Sequence, residues 1–146
     1  MVHFNAQFKY ILALDFHYLR PLLALGDLSG SILDECSMDV PPKANAADRA
    51  ALVIRTAHLL LEQNQLATDM LCCIAVSAPG IFDGDNHLRF ANEQFSEWFE
   101  VDIFSQLSAQ FGTPVLVKND VKTALIGELQ FGAGIHSKSL LYVSCG

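Results

Sequence analysis

The residues best placed to do chemistry stand at the end of one short apolar run. Val115-Leu116-Val117-Lys118 has the length of a strand, and a carboxamide and a carboxylate follow it, Asn119 and Asp120. The carboxyl ends of strands in an open α/β sheet are where such proteins bind small ligands. Asn119 offers a donor and an acceptor to adjacent hydroxyls, while Asp120 can accept a hydroxyl hydrogen bond or remove that proton as a general base. The pair suits a sugar. Asp120 could equally do no more than cap the helix that follows, and the local pattern leaves both roles open.

No other group of reactive side chains competes with this pair. His58 falls within a helical stretch, where a surface or packed position is the simpler reading, and His3, His17, His87 and His136 lack spaced partners for a metal or a triad. Cys36, Cys72, Cys73 and Cys145 contain no Cys-x-x-Cys pair and read as buried free thiols rather than as a disulfide framework or a zinc site. Trp98, with Phe95 and Phe99, could stack on a sugar face, but aromatic clusters near a crossover are more often core, so Trp98 is left out of the site.

The elements that must position Asn119 and Asp120 follow from the apolar pattern. Ile11–Leu14, Leu22–Leu25 and Ile32–Leu33 are separated by turn-like clusters, Asp27-Leu28-Ser29-Gly30 being the clearest, and read as a three-stranded antiparallel meander. Asn45 can cap a helix from Ala46 to Glu62 in which Ala50, Val53, Ala57, Leu60 and Leu61 share one face. Leu71–Ser77 is a continuous apolar run stopped by Pro79-Gly80, as expected of a buried parallel strand that delivers a loop at its carboxyl end. Asp102 can cap a helix carrying Phe104, Leu107 and Phe111, which Gly112-Thr113-Pro114 ends before the strand that bears the Asn-Asp pair. A helix from Asp120 to Phe131 and a last strand from Ser139 to Ser144 complete the order. Strands and helices so arranged predict a mixed sheet with helices on its faces.

Composition bounds the function. The chain has 146 residues, 51% of them apolar and 17% charged, which suits one compact domain and argues against disorder. No apolar run reaches the roughly 18–20 residues of a membrane span, and the amino terminus lacks the pattern of a signal peptide, so a cytoplasmic location is expected. A formal charge of −7 with nine scattered Lys and Arg residues disfavours direct contact of this segment with nucleic acid.

From Ile74 to Gly146 the sequence resembles the ROK (repressor, open reading frame, kinase) family. Ala75-Val76-Ser77-Ala78-Pro79-Gly80-Ile81-Phe82-Asp83 is similar to that family's strand and Pro-Gly turn. Phe95-Ser96-Glu97-Trp98 is similar to its Asn-Leu-Pro-Gly-Trp segment in the tryptophan alone. Pro114 to Asp120, Gly127-Glu128 and Phe131-Gly132-Ala133-Gly134 follow its Pro-Val-x-Val-x-Asn-Asp and Gly-Glu-x-x-x-Gly-Ala-Gly run. The amino-terminal 70 residues match mainly in strand pattern, in Asp15 and in Asp27-Leu28-Ser29-Gly30.

The resemblance implies a ribonuclease-H-like, actin-like ATPase α/β fold, with residues 1–146 as the amino-terminal lobe of a two-lobed protein whose second lobe, and any helix-turn-helix, lie outside the sequence. It implies sugar-binding roles for Asn119 and Asp120, with Asp120 the catalytic base if the protein is a kinase. It also points to Gly80 and Asn92 as pocket residues, although a glycine-requiring turn and a solvated loop residue would explain these two as well. The departure is at Asp15-Phe16-His17-Tyr18-Leu19-Arg20, where kinases of the family have Asp-x-Gly-Gly-Thr-Lys and bring backbone amides close to phosphate. Phe16, His17 and Tyr18 are expected to obstruct that approach and to leave Asp15 as a structural acceptor. Aromatic residues here resemble the repressor branch, including the N-acetylglucosamine repressor (NagC) type. The expectation is a sugar-sensing domain of a transcriptional regulator that binds a sugar or sugar phosphate at the lobe junction, forms homo-oligomers and reaches DNA through another domain. The alternative is the lobe of an ATP-dependent hexose or N-acetylhexosamine kinase. ATP and Mg enter only under that alternative, and zinc only in the second lobe.

Overall fold

The computed structural model describes residues 2–17, 20–84, 87–91 and 93–144. Strands β1 (Tyr10–Asp15), β2 (Leu22–Asp27) and β3 (Ile32–Ser37) form the expected meander. Helix α1 (Ala46–Gln63) then crosses back to β4 (Leu71–Ala78), which lies parallel to β1. A short hairpin, β5 (Ile81–Phe82) with β6 (Leu88–Phe90), and a helical turn α2 (Glu93–Ser96) precede α3 (Ile103–Phe111). Strand β7 (Val115–Asn119) joins parallel to β4, and α4 (Asp120–Phe131) follows without a break. The five-stranded sheet has the order β3-β2-β1-β4-β7, which is the mixed sheet read from the sequence.

The helix boundaries follow from their caps. The Asn45 side chain accepts from the Asp48 amide at 2.8 Å, satisfying one of the donors that a helix start leaves without a partner. Asp102 does the same for α3, accepting from the Ser105 amide at 3.0 Å and its hydroxyl at 2.7 Å. Gly112 ends α3 at φ +62°, the left-handed conformation that glycine adopts without cost.

The two faces of the sheet differ. In-register pairing aligns Leu25, Leu12, Ile74 and Val115 in one row and Leu23, Leu14, Val76 and Val117 in the next, and all are buried. Helix α1 packs over β2 and β3 and α3 over β4 and β7, so this face is the core, with Val53, Ala57, Leu60, Ile103, Leu107 and Phe111 supplied by the helices. Each of the Val, Leu, Ile and Phe side chains among them contributes roughly 1.5–3 kcal/mol on burial. The intervening residues face the other way, where α4 lies across β4 and β7 and buries none of its residues.

Two elements differ from expectation. The β5–β6 hairpin was not foreseen, because runs of two and three strand residues are too short to show alternation. Ser139–Ser144 is apolar enough for a strand but takes no strand conformation over 139–144, and Leu141 is 87% and Val143 68% exposed. A strand is stabilised by a neighbour that completes its backbone hydrogen bonds, and no described segment pairs with this one. No described helix is long and apolar enough to cross a membrane.

Candidate functional site

The junction of β7 and α4 brings the Asn-Asp pair to the carboxyl edge of the sheet, with Asn119 beside Ala78 of β4. Asn119 is the cap of α4, its Oδ1 accepting from the Lys122 amide at 3.2 Å. Its Nδ2 donates to the Gly80 carbonyl at 3.0 Å and to Asp120 Oδ1 at 3.0 Å. Capping therefore falls to Asn119 and not to Asp120. Asp120 Oδ1 also accepts from the Val121 amide at 2.8 Å, while its Oδ2 has no partner among the described residues. A carboxylate held by one oxygen keeps the other for a ligand hydroxyl.

Gly80 is fixed by sterics as well as by Asn119. Its φ is +131°, and a Cβ there would lie 2.7 Å from the Phe90 carbonyl oxygen and 2.9 Å from Leu88 Cδ1. Only glycine fits the turn between β4 and β5. The structure thus unites Gly80, Asn119 and Asp120 in one hydrogen-bonded unit; Asn92 lies outside the described residues.

Asp120 opens onto a cavity of about 660 Å³ between α4 and the uncovered face of the sheet. Register builds its surface. Ala24, Ala13, Ala75 and Leu116 align across four strands as an apolar row, and one step nearer the carboxyl edge Leu22, Asp15, Ser77 and Lys118 align as the next. A carboxylate, a hydroxyl and an ammonium group therefore sit on three adjacent strands, and none of the three makes a side-chain hydrogen bond or ion pair among the described residues. Small side chains below and ungated polar groups above suit a compact polyhydroxylated ligand. Asp15, Ser77 and Lys118 were not singled out as site residues from the sequence. The signal was there in the parity of β7, where Lys118 alternates with buried Val117 and shares a face with Leu116.

The loop after β1 departs from expectation in an instructive way. Phe16 does not project from the loop to obstruct a ligand; its ring turns inward and is 3% exposed. Asp15 is exposed and lines the cavity, so it is not a structural acceptor. The amides of Phe16 and His17 are nonetheless occupied: Phe16 N–H donates to the Ser77 carbonyl at 2.8 Å, and His17 N–H to the Asp15 carbonyl at 3.2 Å. Amides engaged in this way do not point at a phosphate. Tyr18 and Leu19, the next two residues of the loop, lie outside the described residues.

Trp98 and His58, set aside from the site, lie away from the cavity, whereas His17 and Phe95 line it. Trp98 is wholly buried and His58 is exposed with its ring stacked on Phe111, centroids 4.5 Å apart. Among the described residues no group of three His, Cys, Asp or Glu side chains is placed to hold a metal ion.

Residues 19–146 match the model of the ROK family, a span that begins just past the Asp15–Tyr18 segment. The chain belongs to the ROK family. It is 24% identical over 146 residues to the xylose repressor of Bacillus subtilis (strain 168), covering 99% of this chain and 37% of that one. It is 24% identical over 121 residues to the DNA-binding transcriptional repressor Mlc of Escherichia coli (strain K12), covering 83% of this chain and 30% of that one. Among solved structures, the inorganic polyphosphate/ATP-glucomannokinase of Arthrobacter sp. strain KM superposes with a TM-score of 0.73 at 25% identity, over 90% of this chain and 52% of that one. This ROK chain has the actin-like, ribonuclease-H-like α/β fold of such neighbours, and it spans about a third of the length of the curated repressors it matches.

Proposed function

We propose that this chain is the sugar-recognition lobe of a sugar-responsive transcriptional regulator. The observation that carries the reading is the pairing of an intact Asn119–Asp120–Gly80 unit with a loop after β1 whose Phe16 and His17 amides are spent on Ser77 and Asp15. The first can hold hydroxyls; the Phe16 and His17 amides of the second are not available to a transferring phosphoryl group, whose chemistry depends on positioning and charge stabilisation. The repressors that match the chain over most of its length support the same branch. In this reading a sugar or sugar phosphate engages Asp120 and the cavity, shifts the protein between open and closed populations, and so changes the DNA affinity of a different part of the protein. DNA contact is assigned elsewhere because these residues carry a formal charge of −7. The regulator would act as a homo-oligomer in the cytoplasm.

A second reading, an ATP-dependent sugar kinase with Asp120 as general base, is favoured by one observation, the unpartnered Oδ2 of Asp120 beside a fold shared with the glucomannokinase. The two are separated by measuring ATP consumption with magnesium and a panel of pentoses, hexoses and N-acetylhexosamines. The regulator reading expects binding of at least one sugar with no turnover above background. Sugar-dependent turnover abolished by Asp120→Asn would replace it with the kinase.

A further inference from the structure

Phe16 stands between two exposed residues, Asp15 and His17, yet is itself buried in the core. It meets Trp98 edge-on, with centroids 4.9 Å apart and planes at 78°. Phe99 lies 5.9 Å from it and Phe104 6.4 Å, and Phe82 closes the cluster at 6.0 Å from Phe99 and 5.9 Å from Phe104. The Arg49 guanidinium carbon sits over Trp98, 5.3 Å from the ring centre.

These rings belong to four separate segments: the loop after β1, strand β5, the turn that follows α2, and α3. Two of those segments carry the site. Asp15 directly precedes Phe16. Gly80 precedes Phe82 by two residues, and its carbonyl holds Asn119, which holds Asp120. The cluster therefore ties the β1 end of the cavity to its β7 end through packed rings.

Strand geometry gives the tie a direction. Neighbouring side chains in extended backbone point to opposite faces, and Phe16 N–H continues the β1–β4 pairing by donating to Ser77. With the ring of Phe16 locked into the core, the Asp15 side chain is committed to the cavity face. An aromatic ring has a fixed edge-to-face geometry with its neighbours, so it sets position as well as filling volume.

We infer that Phe16 is a positioning residue of the sugar site: its buried ring holds the Asp15 carboxylate in the cavity that Asp120 lines. The inference rests on the sugar reading above and adds Asp15 to the groups that meet the ligand.

The test is a thermodynamic cycle on the protein as it exists. D-Xylose and D-glucose are titrated into the wild type, Phe16→Ala, Phe16→Leu, Asp15→Asn and the Phe16→Ala/Asp15→Asn double variant, by calorimetry and by the emission of Trp98, the chain's single tryptophan. Melting midpoints are measured alongside, and Phe16→Leu, which refills the apolar volume, guards against loss of the fold. Phe16→Ala and Asp15→Asn should each weaken binding by about tenfold, and the double variant should be no weaker than either, because residues that act through one another are non-additive. Phe16→Leu should bind between Phe16→Ala and wild type, since it restores most of the apolar volume but not the ring's edge-to-face contacts. Losses that multiply in the double variant, or wild-type affinity in Asp15→Asn, would overturn the inference and leave the sugar reading standing. Failure of the wild type to bind either sugar would remove both.

Discussion

The two faces of the sheet are made from the same strands and behave oppositely. One face presents Leu12, Leu14, Leu23, Leu25, Ile74, Val76, Val115 and Val117 to α1 and α3 and is sealed. The other presents Ala13, Ala24 and Ala75 with Leu116, which is 55% exposed, beneath a helix that buries nothing. The difference lies in side-chain size at alternate positions: branched residues that interdigitate with helices on one side, and alanines that leave a cavity on the other. Stability is thus concentrated on one face and the candidate site on its reverse, and a ligand group carried at the end of β1 or β7 rests on a rigid floor.

The contrast can be broken most severely from the packed side. Leu12→Ala should lose about 3–5 kcal/mol in urea unfolding, the range for a fully buried leucine whose neighbours cannot collapse into the hole. Leu116→Ala removes the same atoms from the open face and should lose about 1 kcal/mol or less. Comparable losses at the two positions would mean that α4 seals its face after all.

Gly80→Ala comes next. A side chain at φ +131° with backbone oxygen 2.7 Å away should cost about 1–3 kcal/mol, by thermal melts, and should weaken sugar binding because the Gly80 carbonyl anchors Asn119. An alanine variant of wild-type stability and affinity would show that the turn relaxes without disturbing the pair.

A smaller effect is expected at Asp102. The hydroxyl and amide of Ser105 hold its carboxyl below the usual carboxylate range. A carboxyl with a depressed folded value contributes stability above its ordinary titration and loses it as pH falls through the folded one. Asp102→Ala should therefore cost about 1 kcal/mol at neutral pH and less in acid, in pH-resolved melts. A loss that does not shrink in acid would assign the effect to packing.

The smallest change is one of reactivity. Burial, then the neighbouring Cys72 thiol, pushes Cys73 up to about 11, so its alkylation by iodoacetamide should be slow at pH 8 and accelerate towards pH 11 with no change in fold. Rapid alkylation at pH 8 would show that the open face admits more water to β4 than its side chains suggest.

Much of the architecture could be read before the coordinates. The meander, the 18 residues of α1 with their cap at Asn45, and the order of parallel strands all rest on local signals that survive packing. Ser139–Ser144 shows the limit of such signals: apolar content marks a segment that could pair, but pairing needs a neighbour that no local pattern specifies. The site was partly legible in the same way. Asn119 and Asp120 stand out as polar residues ending an apolar strand, whereas Asp15, Ser77 and Lys118 become a set only when the register of three strands is known. Phe16 was legible as a departure but not in its direction. Bulk in place of glycine reads as an obstruction in sequence, and only the rings of Trp98, Phe99 and Phe104 around it show that it is drawn into the core.

The central claim is that Asp120 meets a sugar within the cavity. The most direct measurement is calorimetric titration of D-xylose, D-glucose and their phosphates into the wild type and Asp120→Ala, with Asp102→Ala as a control remote from the cavity. The structure predicts saturable binding of at least one of these ligands to the wild type and to the Asp102 variant, weakened at least tenfold by Asp120→Ala through loss of a charge-assisted hydrogen bond of about 1.5–3 kcal/mol. Equal affinity in the wild type and Asp120→Ala would contradict it.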